Sequence, residues 1–309
     1  MKAARIHRFG PPNVIEVEDV PRPSPAPGEV LVRIAAAGVG PWDALIREGK
    51  SKVSPPPPLT LGSDLSGVVE AVGTGVSQFK DGDEVYGVTN PQFVGANAGF
   101  AVASALMVAP KPQRLSSLEA ASVPVVAVTA WQMLFEHGRP EAGQRVMILG
   151  AAGNVGAYAV QFAANAGCHV IAVVGSNDVE YVRSLGAKDV IDYRVTDFVD
   201  VVRSVDVVID TVGGDSRDRA FTVLKSGGIL VTVVSTAFVP ARADVRSAFF
   251  YAEVTTARLS AISGLLERGK VIPQVGPVLP LEQVRTAHEM LAGAPHRRGK
   301  IMLEVATVR

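Results

Sequence analysis

Apolar positions along residues 145–234 follow two alternating rhythms. Val146 to Leu149 is a short unbroken apolar run, the pattern of a strand buried on both faces. The run breaks at Gly150, and Val155, Ala159, Val160, Phe162 and Ala163 then recur at helical spacing until Gly167. His169 to Val174 is a second continuous run, so the spacing predicts strand, glycine turn, helix and strand, one βαβ unit. Further strands are predicted at Asp189 to Tyr193, Val205 to Asp210, Gly228 to Val234 and Ser247 to Tyr251. Helical spacing separates the earlier of them near Val179 to Leu185, Asp197 to Arg203 and Ser216 to Leu224, which predicts a doubly wound parallel sheet.

Residues 1–118 have another texture. Val14 to Val20 alternates apolar and acidic residues, a proline-dense turn follows, and Glu29 to Ala37 is a further strand. A glycine loop at Gly38 and Gly40 leads into one short helical turn, and L-G-S-D-L-S-G-V-V-E-A-V-G and D-E-V-Y-G-V give more strands joined by glycine turns. The pattern predicts an irregular antiparallel barrel. Leu118 to His137 is a helix-rich joint, Thr255 to Arg268 an amphipathic helix ended by Gly269, and the last forty residues mix strands with one helix. The expected division is 1–118, with 270–309 returning to it, against 119–269.

The turn after the first parallel strand carries candidate chemistry. A phosphate sits at a helix N-terminus only where backbone N–H groups face it with no Cβ in the way. In Ala151-Ala152-Gly153-Asn154-Val155-Gly156, Gly153 is placed to face a pyrophosphate and Gly156 to let helix and strand pack, while alanine takes the first glycine position of the dinucleotide fingerprint. An NAD site usually has Asp or Glu at the end of the second strand. Here that place reads Gly175, Ser176, Asn177, which leaves room for a 2′-phosphate and favours NADPH, with Asp178 as the counter-argument.

Composition narrows the partners. Thirty basic and thirty acidic residues cancel in a chain of 309, so no field gathers nucleic acid or an anionic membrane surface. A small-molecule substrate is expected instead. One cysteine, Cys168, excludes an internal disulfide and any multi-thiolate metal site, and the absence of a signal-like N-terminus or a long apolar run makes the cytoplasm the expected location.

The segments A-A-G-V-G-P-W-D-A-L-I-R-E-G (36–49), P-L-T-L-G-S-D-L-S-G-V-V-E-A-V-G (58–73), K-D-G-D-E-V-Y-G (80–87), A-A-S-V-P (120–124), G-A-A-G-N-V-G (150–156), L-G-A (185–187) and D-T-V-G-G (210–214) together carry a resemblance. The whole chain resembles the medium-chain dehydrogenase/reductase superfamily, in its zinc-independent, quinone oxidoreductase-like branch. The resemblance implies a GroES-like barrel built from both chain ends, a six-stranded Rossmann domain between them, and an active site in the interdomain cleft. Zinc-dependent relatives carry a cysteine near Gly40 and a His-Glu pair where this chain reads Ser63-Asp64, so no metal is expected. Without a Lewis acid the chemistry should run as metal-free hydride transfer from NADPH to a quinone or an α,β-unsaturated carbonyl.

The resemblance also distributes roles. Gly150, Ala151, Gly153, Asn154, Val155 and Gly156 would lie at the pyrophosphate. Gly175, Ser176 and Tyr193 would lie at the adenosine 2′-phosphate, helped by Arg194 or Arg298. Thr129, Val212 and Ser235 would flank ribose and nicotinamide. Gly40, where quinone reductases often carry Asn, Trp42, Asp43, Arg47, Phe93 and Phe249 are the substrate-side candidates. Asp43 and Arg47 are also spaced as an i,i+4 surface ion pair, and the spacing favours that reading. The apolar run A-F-F-Y at 248–251 would form a sheet edge that needs cover, so a homodimer is expected. The alternative reading is a catalytically weak nucleotide-binding family member with a sensing, structural or RNA-associated role.

Overall fold

The first strands build a sheet around one long, almost wholly buried strand. A computed structural model describes residues 1–234 and 242–305, and its contacts divide the chain into two units, Met1–Val125 with Glu253–Arg309, and Val126–Ala252. The first unit opens with β1 (Lys2–Ile6), β2 (Ile15–Asp19), β3 (Glu29–Val39), α1 (Pro41–Arg47), β4 (Leu59–Thr60), β5 (Asp64–Val72), β6 (Glu84–Val88), β7 (Phe100–Ser104), β8 (Val108–Pro110) and α2 (Ser117–Ala121). Ser116 starts α2 with a capping box: Ser116 Oγ accepts from Glu119 N–H while the Glu119 carboxylate accepts from Ser116 N–H. The next helix, α3 (Pro124–Trp131), carries the chain into the second unit and runs on as a π-helical turn over Gln132–Gly138.

The second unit holds β9 (Arg145–Leu149), α4 (Asn154–Asn165), β10 (His169–Val174), α5 (Val179–Ser184), β11 (Asp189–Asp192), α6 (Phe198–Val201), β12 (Val205–Asp210), α7 (Gly214–Ala220), β13 (Leu224–Thr232) and β14 (Arg246–Phe249). Its six strands pair in the order β11-β10-β9-β12-β13-β14, all parallel. The order reverses between β9 and β12, which places the C-terminal ends of these two strands at the switch point where such sheets receive ligands. Met147, Leu149, Ile171, Val173, Val208 and Leu230 line one buried cluster against the sheet. β13 starts at Leu224 rather than Gly228, because its pairing with β12 shifts register between Val205 and Val207 and takes Lys225 to Gly228 into the strand.

The chain then returns to the first unit with α8 (Thr256–Glu267), β15 (Val275–Pro280), α9 (Val284–Leu291) and β16 (Lys300–Glu304). Its larger sheet runs β15-β16-β3-β5-β6-β8, with β7 also on β3, and a three-stranded sheet runs β2-β1-β4. The barrel is not wholly antiparallel, since β15 and β16 pair in parallel. Placing α8 with 119–269 also needs correction. Tyr86 Oη donates to Leu259 O at 2.9 Å and lies 2.8 Å from Ser263 Oγ, and Thr256 Oγ1 donates to Val108 O at 2.7 Å. These barrel partners draw α8 into the first unit.

Two buried titratable groups in this unit depart from their ordinary ranges in opposite senses. Arg47 Nη1 donates to His288 Nδ1 at 2.8 Å, and burial, reinforced by the Arg47 charge, pushes the imidazole down to about 3. Asp43 accepts the Gly40 N–H at 2.8 Å, and burial pushes its carboxyl up to about 7, opposed by the Lys300 ammonium. The expected Asp43–Arg47 surface pair is therefore absent. Both side chains are buried, and Arg47 instead ties Gly10 O, Glu48 and His288 together.

Candidate functional site

The β9–α4 turn is shaped by contacts that leave no room for side chains. Gly150 adopts φ +71°, and a Cβ there would lie 2.5 Å from Thr211 Oγ1 and 2.9 Å from Val212 Cγ2. A Cβ on Gly156 would lie 2.2 Å from Gly150 O and 2.8 Å from the Ala151 Cα. The first turn of α4 can press on the end of β9 only because that carbon is missing. Gly153 is the N-cap of this twelve-residue helix, is exposed, and offers no side-chain cap to the first-turn N–H groups. A glycine cradle at an uncapped helix start is the geometry that receives a pyrophosphate, so the residues present fit a dinucleotide. Ala151, expected at the same contact, is buried, and its N–H is engaged by Val173 O at 3.3 Å.

The turn is braced from β12. Asp210, fully buried, accepts from Val212 N–H at 3.0 Å and Gly213 N–H at 2.9 Å, and its other oxygen accepts from Thr232 Oγ1 at 2.7 Å. Thr211 Oγ1 donates to Leu149 O at 2.8 Å. Val212 is thereby held half exposed beside Gly150. The D-T-V-G-G signature pointed to Val212 but not to Asp210, whose part shows only in its hydrogen bonds.

A second group gathers where β10 and β11 end. A Cβ on Gly175 would lie 3.5 Å from Tyr193 Oη and 3.7 Å from Arg194 Cζ. Ser176 bonds to the Asp192 carboxylate, and this bond, with the Arg194 backbone N–H at 3.0 Å and the Arg194 charge, holds Asp192 below the usual carboxylate range. Ser176, Tyr193 and Gly175 therefore lie together, with Tyr193 exposed past the strand end. Asp192 joins them, a carboxylate that the strand pattern alone did not single out. Thr129 is buried on α3. Phe249 lies on edge strand β14, with its ring edge-on to Tyr251 at 5.1 Å between centroids, and Ser235 falls outside the described residues.

The first unit collects the remaining candidates around Trp42. Its Nε1–H donates to Ser63 Oγ at 3.0 Å, and Lys300 Nζ lies 3.9 Å from the ring centroid. Lys300 is itself buried and ion-paired with Asp64 Oδ2 at 2.8 Å, while Asp64 Oδ1 accepts the Val125 N–H at 3.0 Å. Burial raises the Asp64 carboxyl, and the Lys300 ammonium is the largest force pulling it back. The donors at 40, 63 and 64 do not fit zinc: glycine offers none, the Ser63 hydroxyl holds an indole, and the Asp64 carboxylate holds an ammonium. Phe93 sits in a left-handed backbone conformation, φ +59°, in a loop tied by Thr89 Oγ1 and Asn90 Nδ2 to Val94 O at 2.8 Å each. Asp43 and Arg47 are bound inside the unit, as described above. Lys300 was missed in the sequence, although a lysine opening an apolar strand was the available signal.

Two family models match the chain. Residues 26–113 match the alcohol dehydrogenase GroES-like domain, and residues 185–303 match the zinc-binding dehydrogenase family. The quinone oxidoreductase of Rattus norvegicus is 30% identical over 98% of this chain and 97% of its own length. The NAD(P)H oxidoreductase RTN4IP1, mitochondrial, of Homo sapiens is 34% identical over 90% of this chain and 82% of its own. Among solved structures, the quinone oxidoreductase from Coxiella burnetii superposes with a TM-score of 0.91 at 31% identity, covering 99% of each chain. No helix among the described residues is long and apolar enough to cross a membrane.

Proposed function

Because the chain belongs to the medium-chain dehydrogenase/reductase family, among its quinone oxidoreductase-like members, we propose that it is an NADPH-dependent reductase of a quinone or an α,β-unsaturated carbonyl, working without zinc. The uncapped glycine turn at Gly153, closed behind by Gly156, carries this reading. Bound there, a reduced nicotinamide would supply a hydride to the quinone ring or to the β-carbon of the unsaturated carbonyl, and water would supply the proton. The chain's own residues bind and orient. Gly153, Asn154, Val155 and Gly156 hold the pyrophosphate, Val212 and Thr129 flank the ribose and nicotinamide, and Ser176, Tyr193 and Arg194 take the 2′-phosphate. The donor set around Ser63 and Asp64 supports the metal-free reading, and the single buried thiol, Cys168, supports a reducing, cytoplasmic setting.

The test is to mix the protein with NADPH or NADH and a panel of quinones and enones, following the absorbance of the reduced nicotinamide. Acceptor-dependent oxidation is expected, with kcat/KM higher for NADPH. Arg194→Ala should lower the NADPH-to-NADH ratio by about tenfold, as loss of one charged hydrogen bond would. Tight NADPH binding with no oxidation across the panel would remove the enzymatic reading.

We also propose a homodimer formed along β14, the outermost strand of its sheet among the described residues, which carries the half-buried Phe249 ahead of the exposed Tyr251. Light scattering at micromolar concentration is expected to return twice the chain mass. A monomer mass would remove this part of the proposal.

A further inference from the structure

The indole of Trp42 is fixed at three points. Its N–H is held by Ser63 Oγ at 3.0 Å, one face lies 3.9 Å from the buried Lys300 ammonium, and its benzo edge rests on Gly40. The last contact is the most restrictive, since a Cβ on Gly40 would lie 2.4 Å from Trp42 Cη2 and 2.6 Å from Cζ2 and Cζ3. No side chain at position 40 coexists with this ring. The anchors are themselves enclosed: Ser63 and Asp64 are fully buried, and Asp64 pairs with Lys300 at 2.8 Å. The ring is partly buried against the core of the unit and its one polar group is engaged, so the part that reaches solvent offers only a π surface. Leu45, three residues along α1, is 47% exposed and extends an apolar face beside it.

We infer that Trp42 is the acceptor-specificity residue of this chain, a rigid π wall that selects planar, extended conjugated acceptors, such as fused-ring quinones and aryl-conjugated enones, over small acyclic ones. The inference deepens the proposed reductase reading and rests on it. A preorganised aromatic face loses no rotamer freedom on stacking, so the stacking gain is not offset by ordering the wall. Gly40 is part of the device, because it leaves room for the ring.

Two measurements test this separately from the reductase reading. In Trp131→Phe, Trp42 is the one remaining indole of the chain's two. Menadione is expected to quench its fluorescence saturably, whereas methyl vinyl ketone should not. Linear, unsaturable quenching overturns the inference, even if the protein reduces both compounds. In steady-state kinetics, Trp42→Ala should raise KM for menadione and 4-phenylbut-3-en-2-one about tenfold while moving KM for methyl vinyl ketone and NADPH little. Gly40→Ala should reproduce this loss by displacing the ring, and should add nothing in the Trp42→Ala background. An equal loss on all acceptors, or additive effects of the two substitutions, assigns Trp42 to packing alone and overturns the inference. Absence of NADPH oxidation by the wild-type protein with every acceptor, alongside saturable quenching, would sink the reductase reading and leave the π wall standing as a binding surface.

Discussion

Gly156→Ala is expected to weaken pyridine nucleotide binding by at least about tenfold and to cost roughly 1–3 kcal/mol of stability. The added methyl would lie 2.2 Å from Gly150 O and 2.8 Å from the Ala151 Cα, and both are backbone atoms, so no rotamer change relieves the overlap. Either the turn opens or the first turn of α4 retreats from β9, and both movements spoil the N–H cradle. Gly153→Ala separates binding from folding. There the nearest atom to a new Cβ is Gly150 O at 3.3 Å and the residue is exposed, so the fold should hold while the methyl enters the phosphate space. Calorimetry with NADPH, paired with thermal unfolding, reads both quantities. Full affinity in Gly156→Ala would show that the turn does not hold the pyrophosphate.

A second large effect concerns pH. The folded state holds a proton on Asp43 up to about pH 7, while the unfolded carboxyl releases it near 3.8, so this group favours folding below 3.8 and its contribution is lost as pH rises through 7. His288 works in the other direction. Unfolded, it takes a proton near 6.5, but folded only at about 3, so its contribution is present above 6.5 and is lost as pH falls toward 3. Between about pH 4 and 6.5 the two proton counts cancel, and the wild type should show no net slope from this pair. Each single variant should expose the other group at about 1.4 kcal/mol per pH unit. Relative to wild type, Asp43→Asn should lose stability on acidification and His288→Gln should gain it, with the double variant parallel to wild type. Urea titrations at pH 4.5, 5.5 and 6.5 check this, and slopes of the same sign in both single variants would refute it.

The Rossmann half of the chain is legible in the sequence because its signals are local. A strand buried on both faces is a continuous apolar run, and a helix against it has its own period, so β10 and β12 fall on the residues expected. β13 begins earlier than the predicted Gly228, because Leu224 pairs with Val205 and the residues after it bulge within the strand before pairing resumes at Ile229. The first unit hides more. Asp43 and Arg47 read as a surface pair because their spacing is visible and their partner is not: His288 lies 241 residues beyond Arg47. Lys300 is farther still from Trp42, and no window of sequence joins them. Among the site residues, the glycines at 150, 153 and 156 announce themselves through backbone need, whereas Asp192 and Asp210 gain their places from parallel strands ending side by side.

The first unit is assembled from Met1–Val125 and Glu253–Arg309, and β16 supplies a neighbour to the long strand β3. A ribosome therefore delivers β3 with residues 36–39 of one edge open and keeps them so until residues 300–304 emerge, whereas β7 covers residues 29–33 of the same edge much earlier. The nascent second unit, contiguous over Val126–Ala252, has all its strands in hand first. For most of synthesis residues 36–39 form an unpaired apolar stretch of that edge, and that interval is when holdase chaperones have the most to protect.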